Sequence, residues 1–179
     1  MDAAVRSLFA QVLGPAFDGL PAPVRALHMA QGVNRYRGGV EVERGGRWLS
    51  RLIAAATHLP PPGAGPLCVE IEASPDTERW TRFIGGRAMP SRLWRDGEVL
   101  CERLGLATFG FRLEVVDHAI AWRVVRVSVF GVSLPARWFT GVGAREFGED
   151  GRYRFDVWAS LPFTGLLVHY RGWLDVRDA

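Results

Sequence analysis

The stretch Ala144-Arg145-Glu146-Phe147-Gly148-Glu149-Asp150-Gly151-Arg152-Tyr153-Arg154-Phe155-Asp156-Val157 decides the fold. Asp150-Gly151 suits a two-residue hairpin turn, whose central residues need a left-handed backbone. Such a turn fixes which residues face each other. It sets Glu149 against Arg152, Gly148 against Tyr153, Phe147 against Arg154, Glu146 against Phe155, Arg145 against Asp156 and Ala144 against Val157. One face then carries Val142, Ala144, Tyr153, Phe155, Val157 and Ala159. The other carries two complementary pairs, Arg145 with Asp156 and Glu149 with Arg152. Glu146 is left alone on the apolar face.

The same treatment of Asp117-His118 sets Val115 opposite Ile120, Leu113 opposite Trp122, Phe111 opposite Val124 and Phe109 opposite Arg126. Arg126 becomes a second charge on an apolar face. The other face of that strand, Ala121, Val125, Val127 and Val129, is apolar too and asks for a cover, which the N-terminal helices are expected to provide. Further turn signals recur at hairpin spacing, at Ser74-Pro75-Asp76, Gly85-Gly86, Asp96-Gly97 and Pro162-Phe163-Thr164-Gly165. Residues 67–176 therefore read as an antiparallel meander, preceded by a strand-like stretch over 33–43.

The N-terminal third reads differently. A helical lead-in covers residues 1–30: Val5, Leu8, Phe9 and Val12 share one helix face, with Asp2 as N-cap candidate and Gly14-Pro15 as the stop, and Pro23 opens a second helix carrying Val24 and Leu27. A third helix is expected over 47–58, with Trp48, Leu49, Leu52, Ile53 and Ala56 on one side, ended by Pro60-Pro61-Pro62. Its tryptophan and arginines would suit a membrane surface, but so ordinary an apolar stripe points to core packing. The expected fold is a single mainly β (α+β) domain over 1–179. Its core would be a curved antiparallel sheet or open β-barrel of about 8 to 10 strands, with two or three helices packed on it.

Composition bounds the function. With 48% hydrophobic and 23% charged residues, the 179-residue chain can bury a core and fold alone. Its 22 basic residues are all arginine, against 19 acidic ones. The absence of lysine excludes a Schiff-base nucleophile, a phosphate-loop lysine and a lysine base. Arginines alternate with acids, as in Arg145, Glu146, Glu149, Asp150 and Arg152, which describes a solvated surface and not a nucleic-acid face. Phe109-Gly110-Phe111 lacks the flanks of an RNA-binding strand. Gly141-Val142-Gly143 begins a dinucleotide loop but has Glu146 at the last glycine, with a strand following. Cys68 and Cys101 stand alone, as buried free thiols. His28, His58, His118 and His169 show no metal spacing, and no nucleophile elbow accompanies the serines. The acidic N-terminus and the lack of a long apolar run predict no signal peptide, no transmembrane segment and a cytoplasmic setting.

Several stretches taken together resemble one bacterial family, domain of unknown function 4166. They are Leu13-Gly14-Pro15-Ala16-Phe17 with Leu20-Pro21, Glu78-Arg79-Trp80-Thr81-Arg82-Phe83 with Gly85-Gly86, Glu149-Asp150-Gly151-Arg152-Tyr153-Arg154-Phe155, and His169-Tyr170-Arg171-Gly172-Trp173-Leu174. The resemblance spans nearly the whole chain. It implies an accessory unit, since such domains often follow a nucleotide-binding oxidoreductase domain, and it supplies no catalytic residue.

Three functions remain, in order of expectation. The first is a non-catalytic domain holding a small apolar or amphipathic ligand in the curved sheet, with Arg126, Glu146, Tyr153, Phe155, Trp122 and Tyr170 as pocket residues. The second is an interaction or accessory domain for an oxidoreductase partner, favoured if Trp158 and Trp173 are exposed. The third is an enzyme using Glu146, Glu102 or Glu72 as a carboxylate base. Arg126 and Glu146 are expected to pair with each other or to anchor a ligand. No catalytic, metal or cofactor residue is expected.

Overall fold

The computed structural model describes residues 6–46, 60–162 and 164–177. Eleven strands follow the N-terminal helices: β1 (Gly32–Arg44), β2 (Gly63–Ala73), β3 (Thr77–Ile84), β4 (Arg87–Asp96), β5 (Val99–Leu104), β6 (Ala107–Val116), β7 (Ala119–Val129), β8 (Val132–Leu134), β9 (Gly141–Glu149), β10 (Arg152–Leu161) and β11 (Gly165–Asp175). All pairings are antiparallel, and ten strands close into a barrel because β1 pairs with β11 and β6 with β7. The short β8 lies beside the end of β7, whose first half pairs with β9. Closure removes the unpaired edges that an open sheet would expose. The sheet is thus closed, where the sequence points to a curved sheet or an open barrel.

The Asp150-Gly151 hairpin has the register read from the sequence at every one of its six pairs. The Asp117-His118 hairpin keeps three pairs and then departs from expectation. An extra residue, Val125, sits in β7, so Arg126 faces Gly110 and Val127 faces Phe109. This bulge flips every residue beyond it. Arg126 moves to the outer wall, and Val127, fully buried, turns inward. Gly110 makes room for the bulge: a Cβ there would lie 3.1 Å from Arg126 Cβ and 3.0 Å from Val99 Cγ1.

Helix α1 (Leu8–Leu13) is capped by Ser7, whose hydroxyl accepts from the Ala10 N–H; the cap candidate Asp2 lies outside the described residues. A 3-10 turn over Gly14–Gly19 leads to α2 (Ala22–Met29). The helices do not cover the outside of β7. They enter one end of the barrel, where Leu8, Phe9, Val24 and Leu27 are fully buried in the single core. The helix read over 47–58 lies outside the described residues.

Because the strands run up and down, alternate turns share an end. The helix-plugged end carries the β2–β3, β4–β5, β6–β7 and β9–β10 turns, and Gln11 Nε2 donates there to the Pro75 carbonyl at 2.7 Å. The opposite end carries the β3–β4, β5–β6, β7–β8 and β10–β11 turns and the β1–β2 connection. A short 3-10 helix, Ala136–Phe139, follows β8 at that end, with Phe139 packed edge-on to Phe109.

Candidate functional site

Beneath the helix plug the barrel holds polar side chains that an apolar core would not need. Residues 24, 27 and 28 fall on one face of α2, so burying Val24 and Leu27 also sends His28 inward. Strand alternation sends Glu146 of β9 inward. The two meet, His28 Nε2 to Glu146 Oε2 at 2.7 Å, with both residues at least 94% buried. Phe9 stacks on the imidazole with centroids 3.6 Å apart, and Tyr153 stands edge-on to it. His28 Nδ1 and Trp122 Nε1 find no hydrogen-bond partner among the described residues.

A second polar group lies on β3, β4 and β5. Arg82 points inward beside Trp80, with its guanidinium 5.0 Å from the indole centre, and donates to Ser91 Oγ at 3.0 Å and Glu102 Oε1 at 3.3 Å. The Trp80 indole N–H donates to Glu78 at 2.7 Å. Glu78, Glu102 and Glu146 thus face the interior with one arginine and one histidine.

Burial decides the protonation of this layer. It pushes the Glu78 carboxyl above the usual range, and the nearby Glu146 charge adds to that shift, against the pull of His28 and the Trp80 N–H. It raises the Tyr153 phenol well above its ordinary value, reinforced by Glu146, and raises Tyr170 with Arg82 opposing. Burial works against the Arg82 cation, but Glu102, Tyr170 and Tyr153 outweigh it and its pKa is raised. Tyr153 and Tyr170 therefore remain hydroxyl donors at neutral pH, and Arg82 remains a cation.

A cavity of about 40 Å³ lies among Trp80, Arg82, Glu146, Tyr153, Phe155 and Tyr170. That is space for a few water molecules or one small polar group. A larger cleft of about 710 Å³ opens at the end away from the helices, lined by Val40, the Pro61–Cys68 stretch, Phe83 and the Gly85-Gly86 turn. Leu67 and Ile84 border both spaces. The larger space is mostly apolar, with Arg37 on its wall, and the smaller one holds the buried polar groups.

Of the residues read from the sequence, Glu146, Tyr153, Phe155 and Tyr170 line the inner cavity together. Trp122 is inside the barrel but packs above it, against Phe9 and Phe111. Arg126 is outside, held by Asp96 at 2.6 Å and by Cys101 Sγ at 3.4 Å. The expected pairing of Arg126 with Glu146 does not form, because the bulge separates them across the wall. Sequence reading missed His28, Arg82 and Glu78. Glu146, alone on an apolar face, signalled that a partner existed, and the 24, 27, 28 spacing on α2 was the available pointer to His28. Glu102 faces inward, whereas Glu72 is exposed.

The histidines do not converge. His118 Nδ1 lies 3.3 Å from the Gly19 carbonyl and His169 Nε2 lies 2.6 Å from Asp156, while His58 is outside the described residues. Among the described residues no cluster of His, Cys, Asp and Glu is arranged to hold a metal, and no helix is long and apolar enough to cross a membrane. Cys101 is buried and Cys68 half-buried, both as free thiols. Trp158 is exposed and lies flat over Gly143, where a Cβ would meet its ring at 2.9 Å. Trp173 is half-buried under the Arg152 guanidinium, so the two tryptophans do not make one exposed patch. A family model described as Domain of unknown function (DUF4166) matches residues 20–174, and no curated protein matches the chain.

Proposed function

This chain belongs to the DUF4166 family of domains of unknown function, and from the interior of its barrel we propose that it is a non-catalytic domain binding a small amphipathic ligand. The observation that carries the reading is the junction of two unlike spaces at Leu67 and Ile84. The inner one offers Arg82, Glu146, Tyr153 and Tyr170 to a polar head group, and the outer one offers apolar walls to the rest of the molecule. Antiparallel barrels of this size enclose more room than their side chains fill, and ligands are held in such interiors by a few placed polar groups among apolar ones.

The inner space limits the head group to a few heavy atoms. An amine, a hydroxyl or a small amide fits both the space and the mixture of donors and acceptors around it. The buried carboxyls outnumber the one arginine, which disfavours a second anion and argues against a carboxylate head. A carboxylate-base enzyme is the weaker reading, since a 40 Å³ cavity leaves no room beside Glu146 for a reacting carbon skeleton.

Titration with the neutral fluorophore phenylnaphthylamine tests this reading. The purified chain is expected to bind the probe and enhance its emission, and Val157→Trp, which fills the inner cavity from its wall, is expected to weaken that binding at least tenfold with the thermal transition kept. Probe binding untouched by Val157→Trp would remove the barrel interior as the site. The accessory-domain reading would then take precedence.

A further inference from the structure

The two ends of the barrel differ in charge. Each turn at the helix-plugged end carries an acid: Asp76, then Asp96 with Glu98, then Asp117, then Glu149 with Asp150. The turns at the cleft end carry none. The stretches 60–69, 83–95, 103–113, 127–145 and 158–168, which reach that end, hold no Asp or Glu, and Glu41 and Glu43 near the end of β1 both pair with Arg171. These stretches hold exposed Arg87, Arg103 and Arg137 instead, for which no ion pair forms among the described residues. Arg87 also lies close enough to Arg44 to disfavour its charge, an effect second to burial. Among the described residues, arginines outnumber acids at this end.

The same end exposes its large apolar side chains. Leu106, Phe130, Val132 and Trp138 project from the β5–β6 turn, the β7–β8 turn and the short helix after β8, and the Phe130 N–H donates to the Leu106 carbonyl at 3.1 Å, which ties two of the tips together. Phe83 on the lip of the cleft is exposed as well. Phe130 is the most telling. It occupies the first centre of a two-residue turn at φ 52°, followed by Gly131 at φ 80°. The turns at Gly85-Gly86 and Asp150-Gly151 use residues that tolerate this backbone, as does Asp117 at the first centre of its own turn. A phenylalanine there is strained, and at 74% exposure it gains little packing among the described residues.

We propose that this rim docks on an anionic lipid surface, with Phe130, Leu106, Val132 and Trp138 entering the headgroup region and Arg87, Arg103 and Arg137 meeting lipid phosphates. Apolar tips flanked by arginine, with tryptophan at the boundary, are the composition that such interfaces favour. Apolar tips carried on separate turns and set among arginines suit a fluid surface better than the matched core of a protein interface. Docking would bring the mouth of the cleft to the membrane. It does not depend on the barrel carrying a ligand.

Flotation of the full chain with vesicles of phosphatidylcholine and phosphatidylglycerol in a two-to-one ratio, beside vesicles of phosphatidylcholine alone, tests the proposal. The chain is expected to float with the anionic vesicles only, and less as salt rises. Phe130→Asn suits the left-handed turn and so keeps or raises the thermal transition, while lowering vesicle partition about tenfold. Arg103→Gln and Arg137→Gln each lower it about fivefold. No flotation with anionic vesicles at low salt, or Phe130→Asn floating as the parent does, would overturn the proposal. So would a dimer in native mass spectrometry that Phe130→Asn dissolves, since a second copy would then cover the rim.

Discussion

Replacing His28 with Phe keeps a ring against Phe9 but takes away the basic partner of Glu146, 2.7 Å away, and leaves it the Tyr153 hydroxyl. Both groups are almost wholly buried, so the carboxylate must either hold an uncompensated charge or take up a proton. Breaking a buried pair from one side costs about 3–5 kcal/mol. Glu146→Leu removes the acid and leaves the buried His28 ring without its partner, at a cost of about 1–3 kcal/mol. The double variant His28→Phe/Glu146→Leu leaves only the Tyr153 hydroxyl to turn to water in the adjoining cavity, and apolar replacements of buried pairs of similar volume are often neutral or stabilising. Urea unfolding followed by circular dichroism reads all three. The double variant is expected within about 1 kcal/mol of the parent, well above the sum of the singles. At about 2–4 °C per kcal/mol for a chain of this length, His28→Phe should melt at least 6 °C lower. Singles that each cost under about 1 kcal/mol and simply add would refute the view that the pair is coupled.

Three further outcomes follow from the interior and the wall. Tyr153 is held protonated in the folded chain, so the unfolded chain ionises first as pH climbs; stability is expected to fall as pH rises past about 10, and Tyr153→Phe should flatten that fall in alkaline urea titrations. Glu78 has the same sign at lower pH: its folded carboxyl holds a proton longer than its unfolded one, so its contribution is lost as pH rises above the ordinary glutamate range, and Glu78→Gln should gain relative to the parent between pH 4 and pH 7 in melting experiments. Arg126 forms an exposed pair with Asp96, so Arg126→Gln should change stability by less than about 1 kcal/mol; a loss of several would return Arg126 to the interior.

Much of this barrel was legible because strands with one buried face repeat every two residues and tight turns declare themselves. The Asp150-Gly151 hairpin can be written out pair by pair from the sequence, which puts Tyr153, Phe155 and Glu146 on one face. The Asp117-His118 hairpin shows the limit. A bulge at Val125 leaves no residue signature beyond the nearby Gly110, yet one inserted residue exchanges the inner and outer faces and moves Arg126 out. His28 escaped for a different reason. Its partner Glu146 lies 118 residues away, and helix periodicity says which face is buried but not what it meets. Arg82 was concealed by its own type, since an arginine on an alternating strand reads as surface unless Glu102 and Ser91 are known to wait inside. Ring closure rests on β1 meeting β11, a pairing between chain ends that no local pattern encodes.

The central claim, that the barrel interior carries a small amphipathic ligand, meets its most direct test in native mass spectrometry of gently purified protein beside a denatured sample. The reading predicts an added mass that denaturation releases and that Val157→Trp, filling the inner cavity, abolishes while the fold is kept. A clean mass for the parent, together with no capture of phenylnaphthylamine, would contradict it.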